Sequence, residues 1–336
     1  MAAYQLIPDA PESIRWRPWG RLDDSHDDAL VTAGLTESDV MMNNSKEEKK
    51  RSYIFEYFRY QLVPTKISQL TIDNVPYTTE KIKEMKNQFF SDVITQIQLK
   101  QNNKLLHTKV MYEGEQKYLI LVGNDRKVPY VEEFERKEID SVPYSVIAID
   151  NDPSKQIMAI RNDRNAFTSA DVLSRIVEKA LNEKLNYYNL EVHVEMISLK
   201  ESFWGAISKS KEDVVKIKFE IIKPNMSNIS SGLDQEMKGI IDDLNSHKST
   251  ITFEATSNGS LENVNQTNTK LNNMVDYATD GGGNATVRFK DKTTYTTRKN
   301  IRKKAISFCS DITKAAVGAI GQFTIDALKA LDNIDD

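Results

Sequence analysis

The sequence predicts an α+β protein with a mostly antiparallel sheet, flanking amphipathic helices and a long C-terminal helix. Three observations predict this fold class. Short segments in which apolar and polar residues alternate, the pattern of strands with one solvated face, recur along the chain. Longer stretches between them repeat apolar residues every three or four positions, as amphipathic helices do. Glycine, asparagine, aspartate and proline separate neighbouring strand segments, which favours tight turns and antiparallel pairing.

The length of 336 residues exceeds that of one typical domain, so we expect the chain to be divided. Residues 1–50 show no sustained periodicity and are expected to form an irregular arm. Residues 51–230 are expected to form an α+β core domain, and residues 231–336 a second α+β portion. Within the arm, the segment 15–21 interleaves tryptophan with arginine. This chemistry can stack on bases or pin the arm to its own domain, and the sequence leaves both open.

The first elements of the core domain are a strand, a helix and a meander. Residues 53–63 are aromatic and apolar enough for a buried strand, which Pro64 ends. Residues 79–100 place Ile82, Phe89 and other apolar residues at helical spacing. We expect the β-prone segments that follow to form an antiparallel meander, because turn residues separate them. These segments are 110–123, 144–150 and 156–161.

A second helix and a one-sided strand come next. Residues 169–185 predict a helix with Ser169 as its N-cap. In the strand after it, apolar residues point to one face, and Glu191, His193 and Glu195 point to the other. This alternation is typical of a sheet with one solvated face.

The remaining segments predict a second group of strands. Alternation at 215–221 and 250–255 indicates two strands, with a helix around 233–244 between them. Residues 285–297 predict a hairpin with its turn at Asp291-Lys292, which presents Arg288 and Lys290 on its solvent face. Helical periodicity then extends to residue 327, so we expect a long terminal helix to follow the hairpin directly.

Eight basic residues lie close together near the C-terminus of an otherwise acidic chain. They form the basic cluster: Arg288, Lys290, Lys292, Arg298, Lys299, Arg302, Lys303 and Lys304. The last five fall in the first two turns of the predicted terminal helix, where like charges repel each other near the positive end of the helix dipole. An anionic partner relieves that repulsion, so we predict that the basic cluster binds nucleic-acid phosphates. A solvated surface whose charges pair with acids elsewhere is the alternative.

Composition limits the location of the protein and its partners. The net charge of −4 gives an average field that repels nucleic acid, so only a local basic patch can bind it. Cys309 is the single cysteine, which excludes an intrachain disulfide and favours a reducing compartment. We expect Cys309 to be a buried, inert thiol in the terminal helix. No segment reads as a secretion signal or a membrane span, so we expect a cytoplasmic protein.

No complete motif for catalysis, metal binding or cofactor binding is present, so we predict no catalytic residue, metal or cofactor. The four histidines lack a recognised zinc-ligand spacing. Glu191, His193 and Glu195 do share one strand face, which could bind a divalent metal or perform acid–base chemistry. A solvated sheet face explains the same pattern. A metal-dependent nuclease that uses these three residues is therefore an alternative function.

The order of the segments resembles that in RexA-type phage-exclusion proteins and related uncharacterised bacterial defence proteins. The segments that carry the resemblance are VMYEGEQKYLILVG, PYSVIAID, QIMAIRND, DVLSRIVEKALNEKL, LEVHVEMI and DVVKIKFEIIKPN. The likeness covers roughly residues 50–300. It implies a homodimeric protein that binds DNA without sequence specificity and helps to detect infection. It also implies an effector partner, for which a membrane protein is one candidate.

The sequence therefore predicts a nucleic-acid-binding protein, with DNA as the expected partner, that acts in phage defence as a sensor or adaptor. The basic cluster is expected to make the phosphate contacts, which position a duplex without reading its sequence. A protein-interaction module that docks an effector through the N-terminal arm or the terminal helix is a further alternative.

Overall fold

A computed structural model describes residues 50–65, 70–72, 75–223, 233–244, 246–308 and 311–332, together with two short strands near the N-terminus. The chain forms two compact units, residues 1–48 and 49–336. In the first unit, the strands Tyr4–Gln5 and Arg17–Pro18 pair antiparallel. The rest of the predicted arm, the predicted boundary at residue 230 and Cys309 lie outside the described residues.

The described residues form an α+β fold in which every strand pair is antiparallel. The strands are β1 (Tyr4–Gln5), β2 (Arg17–Pro18), β3 (Arg51–Pro64), β4 (Leu70–Ile72), β5 (Val75–Tyr77), β6 (Lys100–Gln101), β7 (Lys104–Leu105), β8 (His107–Gly114), β9 (Lys117–Gly123), β10 (Arg126–Glu132), β11 (Glu135–Ser141), β12 (Tyr144–Asp150), β13 (Ile157–Arg161), β14 (Leu190–Met196), β15 (Val214–Ile222), β16 (Lys248–Glu254), β17 (Gly283–Phe289), β18 (Thr294–Thr296) and β19 (Lys303–Phe308). The helices are α1 (Thr79–Ile94), α2 (Ala170–Leu185), α3 (Lys200–Lys209), α4 (Gln235–Asp243), α5 (Thr269–Tyr277) and α6 (Val317–Lys329). Short 3-10 turns lie at Asn186–Tyr188 and Thr297–Lys299, and a π-helical turn at Ala278–Gly282.

The first sheet is organised around the long strand β3. Its order is β14, β3, β13, β12, β9, β8, and β19 also pairs with β3. One half of the β3 edge pairs with β14, from Phe58 to Pro64, and the other half pairs with β19, from Arg51 to Glu56. The two strands therefore lie end to end along one edge of β3. Backbone hydrogen bonds join them at Tyr57, where the Arg302 N–H donates to the Ile197 carbonyl.

Helices α1 and α2 cover one face of the first sheet. Their buried residues pack on Phe58, Tyr60 and Leu62 of β3. The Ser169 hydroxyl accepts a hydrogen bond from the Val172 N–H, which confirms the predicted N-cap of α2. Thr78 caps α1 in the same way. The predicted helices over 79–100 and 169–185 are thus present, although α1 ends at Ile94.

Helix α6 covers part of the opposite face of the first sheet. Ile320, Phe323 and Ala327 pack against the inward side chains of β3. The Tyr57 hydroxyl donates to the Ala327 carbonyl at 2.8 Å, which ties the helix to the middle of the strand. Among the described residues, no helix combines the length and apolar composition needed to cross a membrane.

The second sheet has the order β16, β15, β17, β18. Its strands come from both sides of the predicted boundary at residue 230, because β15 precedes it and the other three follow it. One face is apolar and packs on α3 and α5, with Ile217, Phe219 and Val287 fully buried. The predicted hairpin over 285–297 corresponds to β17 and β18, and its turn contains Lys292 with a positive φ of 69°.

Strands β10 and β11 form a two-stranded ribbon that belongs to neither sheet. Nearly all of its side chains are exposed, and Phe134 at its tip is fully exposed. This ribbon is absent from the elements predicted from the sequence. It ends at Ser141, which leads directly into β12 of the first sheet.

The predicted helix over residues 298–308 is wrong. This segment forms the 3-10 turn Thr297–Lys299 and then strand β19, and the terminal helix begins only at Val317. The cause is a long-range contact with β3. Residues 303–308 pair with this strand along its edge, from the pair Lys303–Glu56 to the pair Phe308–Arg51. Ladder bonds to a buried strand outweigh a local helical pattern, because intrinsic helix propensity is weak.

Candidate functional site: a His–Glu cluster and a basic sheet face

Strand β14 lies at the border of the first sheet, and side chains of α2 satisfy its outer edge. The Asn182 amide both donates to the Val192 carbonyl and accepts from the Val192 N–H. Glu178 accepts from the Val194 N–H, while Arg175 donates to the Val194 carbonyl. These contacts close an edge that could otherwise pair with another chain, and they fix β14 in position. The polar side chains of β14 are therefore held on a rigid strand.

Glu191 and His193 of β14 meet His247, which lies just before β16. The Glu191 Oε2 atom is 3.1 Å from His247 Nδ1 and 3.8 Å from His193 Nε2. One possible ligand atom from each residue lies within 4.8 Å of the other two. We call Glu191, His193 and His247 the His–Glu cluster. It sits where β14 of the first sheet meets the end of the second sheet.

His193 is the most buried member of the His–Glu cluster. Its side chain is 17% exposed, and its Nε2 atom has no hydrogen-bond partner among the described residues. Burial lowers the pKa of His193 from its ordinary value of 6.5, although Glu191 and Glu178 act in the opposite direction. Burial therefore favours the neutral form of the imidazole.

Stability should fall in acid because of His193. As the pH drops below 6.5, the unfolded chain takes up a proton at this residue while the folded imidazole resists it, so protons favour unfolding. The contribution of His193 is full above pH 6.5 and is lost as the pH falls through the lowered folded pKa. Urea midpoints measured from pH 7.5 to pH 5 should drop less in His193→Gln than in the wild type. Parallel profiles would contradict this prediction.

Glu195, the third residue of the predicted strand face, does not join the His–Glu cluster. Its carboxylate is only 8% exposed and accepts a hydrogen bond from Arg298 at 2.6 Å. Arg175 lies 3.5 Å from the same oxygen. Two guanidinium groups thus neutralise this buried acid. The predicted grouping of Glu191, His193 and Glu195 on one face is geometrically present, but Glu195 is occupied by an ion pair.

The solvent-facing side of the second sheet is basic and rich in hydroxyl groups. We call it the outer face; its charged residues are Lys216, Lys218, Lys248, Arg288, Glu220 and Glu254. Lys216 pairs with Glu254 at 3.1 Å and Lys218 with Glu220 at 2.9 Å. Among the described residues, Lys248 and Arg288 have no acidic partner within 4 Å.

The register of the second sheet places two cations side by side on the outer face. Lys216 lies directly opposite Arg288 on the neighbouring strand. Like charges directly opposite each other on one face destabilise a sheet. Thr286 and Thr296 form the next cross-strand pair, and Thr252 lies opposite Lys218 in the same part of the face. The result is a group of cations and hydroxyl donors without aromatic side chains.

The eight residues of the basic cluster occupy three places. Arg288 is exposed on β17, and Lys290 and Lys292 are exposed at the hairpin turn. Lys303 and Lys304 are exposed on β19, at a border of the first sheet. The remaining three lie near the 3-10 turn: Arg298 is ion-paired with Glu195, Lys299 is exposed and Arg302 is half-buried.

Two kinds of site residue were missed in the sequence. His247 lies 56 residues from Glu191 along the chain, and no local pattern connects them. The cations of β15 alternate with apolar residues, a pattern that predicts a strand and does not by itself indicate a binding site. Once the β15–β17 register is known, Lys216 and Arg288 become neighbours. Only the order of strands in the sheet could have revealed this.

Comparisons with protein-family models, with curated proteins and with solved structures find no match to the chain.

Proposed function

We propose that the protein binds the nucleic-acid backbone without reading its sequence, and that the outer face of the second sheet and the adjoining hairpin turn make the contacts. The observation that carries the proposal is the cross-strand pair Lys216–Arg288. Lys216 already pairs with Glu254, whereas Arg288 has no acidic partner within 4 Å among the described residues. A phosphate beside these side chains would therefore supply the missing anionic partner of Arg288. DNA is the expected partner.

The chemistry of the outer face favours backbone contacts over base contacts. Lysine, arginine and threonine side chains are common donors to phosphate oxygens. Single-stranded binding surfaces that hold bases use aromatic stacking platforms. The outer-face positions of the four strands carry no aromatic residue. Contacts of this kind position a duplex and leave its sequence unread.

Charge reversal on the outer face should weaken binding in a salt-dependent way. We expect the double variant Arg288→Glu, Lys290→Glu to lower affinity for duplex DNA by more than about tenfold at low salt. Its slope of log K against log salt should become shallower by about 1.8, since each lost phosphate contact removes roughly 0.9. Fluorescence polarisation with two unrelated duplexes, a single strand and an RNA measures both quantities.

The matched control for this experiment is Lys104→Glu, Lys109→Glu, which changes the net charge equally at exposed positions on β7 and β8, outside the second sheet. It should bind with nearly the wild-type affinity. Unchanged affinity in the Arg288, Lys290 double variant, or equal losses in both variants, would contradict the proposal. A preference for one duplex sequence would contradict the backbone-only mode.

The wider role stays a prediction that rests on the resemblance to RexA-type proteins. It comprises action in phage defence, a homodimeric state and an effector partner. The binding experiment does not depend on any of these.

A further inference from the structure

The His–Glu cluster has the composition of a transition-metal site. Two imidazoles and one carboxylate are ligands that Zn²⁺ and similar divalent ions prefer, whereas Mg²⁺ and Ca²⁺ prefer oxygen alone. Glu191 and His193 belong to β14, which is fixed by ladder hydrogen bonds. His247 directly precedes β16, and its carbonyl accepts a hydrogen bond from the Lys223 N–H. A rigid framework therefore holds the three side chains together.

The distances in the cluster fit such an ion. With metal–ligand bonds of about 2.0–2.2 Å, two ligand atoms of a tetrahedral site lie about 3.4 Å apart. The separations from Glu191 Oε2 are 3.1 Å to His247 Nδ1 and 3.8 Å to His193 Nε2, on either side of that value. Each of the three residues offers one ligand atom that lies within 4.8 Å of those of the other two. Small side-chain rotations would bring them onto one ion.

The charged residues around the His–Glu cluster pair with one another, so Glu191, His193 and His247 stay available to bind a metal ion. Glu195 is neutralised by Arg298 and Arg175, and Glu178 accepts hydrogen bonds from Arg175 and from the Val194 N–H. Glu191, by contrast, has only the two histidines as ion-pair partners among the described residues. The buried Nε2 of His193 has no hydrogen-bond partner in the described part of the chain, a costly state that a metal ion would relieve.

From this geometry we infer that Glu191, His193 and His247 bind one divalent transition-metal ion of the Zn²⁺ type. Three protein ligands leave a fourth position for water or an anion, as in open zinc sites. Glu191 is 37% exposed and His247 is 25% exposed, so solvent reaches the site. With one carboxylate and two neutral imidazoles, the bound ion would carry a net charge of about +1 and would attract an anionic group.

The test is metal binding by the full chain after treatment with a chelator. Titration with Co²⁺ should give the visible absorption of a low-coordinate ion and saturate at one equivalent, and Zn²⁺ should displace it. Glu191→Gln and His247→Ala should each weaken Zn²⁺ affinity by at least about tenfold. His107→Ala is the matched control, because His107 also contacts a carboxylate, that of Asp125, at an exposed position. It should bind Zn²⁺ like the wild type.

Two outcomes would overturn the inference: no stoichiometric Co²⁺ signal, or equal affinity in the wild type and both ligand variants. Glu191→Gln keeps the size of the side chain, so it provides a folded variant if His247→Ala proves unstable. Zn²⁺ should also raise the Tm of the wild type and leave that of Glu191→Gln nearly unchanged. The Arg288, Lys290 double variant should bind Zn²⁺ normally, so failure of the metal site and failure of DNA binding can be told apart.

Discussion

Replacing Gly283 with alanine is expected to lower the free energy of unfolding by more than about 4 kcal/mol, or to prevent folding. Gly283 opens β17 with a φ of 154°, a conformation that residues with a Cβ rarely adopt. A Cβ at this position would collide with the backbone carbonyl of Glu220 on β15. Neither backbone can retreat, because Gly283 and Ile221 are paired in the same ladder. Urea denaturation followed by circular dichroism measures the loss.

Gly318→Ala is the matched control for this substitution. Gly318 lies in the first turn of α6, and a Cβ built there meets nothing within 4 Å. The same change should therefore stabilise the protein by about 0.5–1 kcal/mol, since alanine is the better helix former. A small effect at Gly283, comparable in size to that at Gly318, would show that β15 and β17 can shift apart.

Replacing Arg298 with alanine is expected to lower the free energy of unfolding by about 2–3 kcal/mol. Removing one partner of a buried ion pair usually costs about 3–5 kcal/mol, because the other charge is left buried without compensation. The cost here should be smaller, since Arg175 remains 3.5 Å from the Glu195 carboxylate and Arg298 is itself 35% exposed. Denaturant midpoints at neutral pH measure the difference.

Lys299→Ala separates this structural role of Arg298 from the effect of charge. Lys299 is the next residue, carries the same charge and is exposed without an acidic partner within 4 Å among the described residues. Its replacement should change the free energy of unfolding by less than about 0.5 kcal/mol. Equal stability of the two variants would mean that the Arg298–Glu195 pair contributes nothing. Arg298 should therefore not be used as a pure DNA-contact residue in binding experiments.

Much of the fold is predictable because its signals are local. Ser169 caps α2, and the alternation in β14 and β15 directs apolar residues into the core. The error at residues 298–308 has a different origin. That segment has apolar residues at both helical and alternating positions, so its pattern fits a helix as well as a strand. It forms a strand because it pairs with β3, which lies about 250 residues earlier in the chain.

The candidate sites could be predicted only in part. Glu191 and His193 are two residues apart on one strand, so their shared face follows from strand geometry. His247 reaches them only because the second sheet ends beside β14, and that arrangement has no counterpart in local sequence. The density of the basic cluster is visible in the sequence, but its division among the β17 hairpin, the 3-10 turn at Thr297–Lys299 and β19 depends on how the strands pair.

The pairing of β3 with β19 makes the order of synthesis matter. On the ribosome, β3 emerges long before β19 and α6. The hydroxyl of Tyr57 can donate to the carbonyl of Ala327 only after 270 further residues have been made. Until then, the edge of β3 at 51–56 is open and the apolar face with Tyr53 and Phe55 lacks α6. Open strand edges beside apolar surface are sites of aggregation. Nascent chains of this protein should therefore depend on chaperones until the final helix has been made.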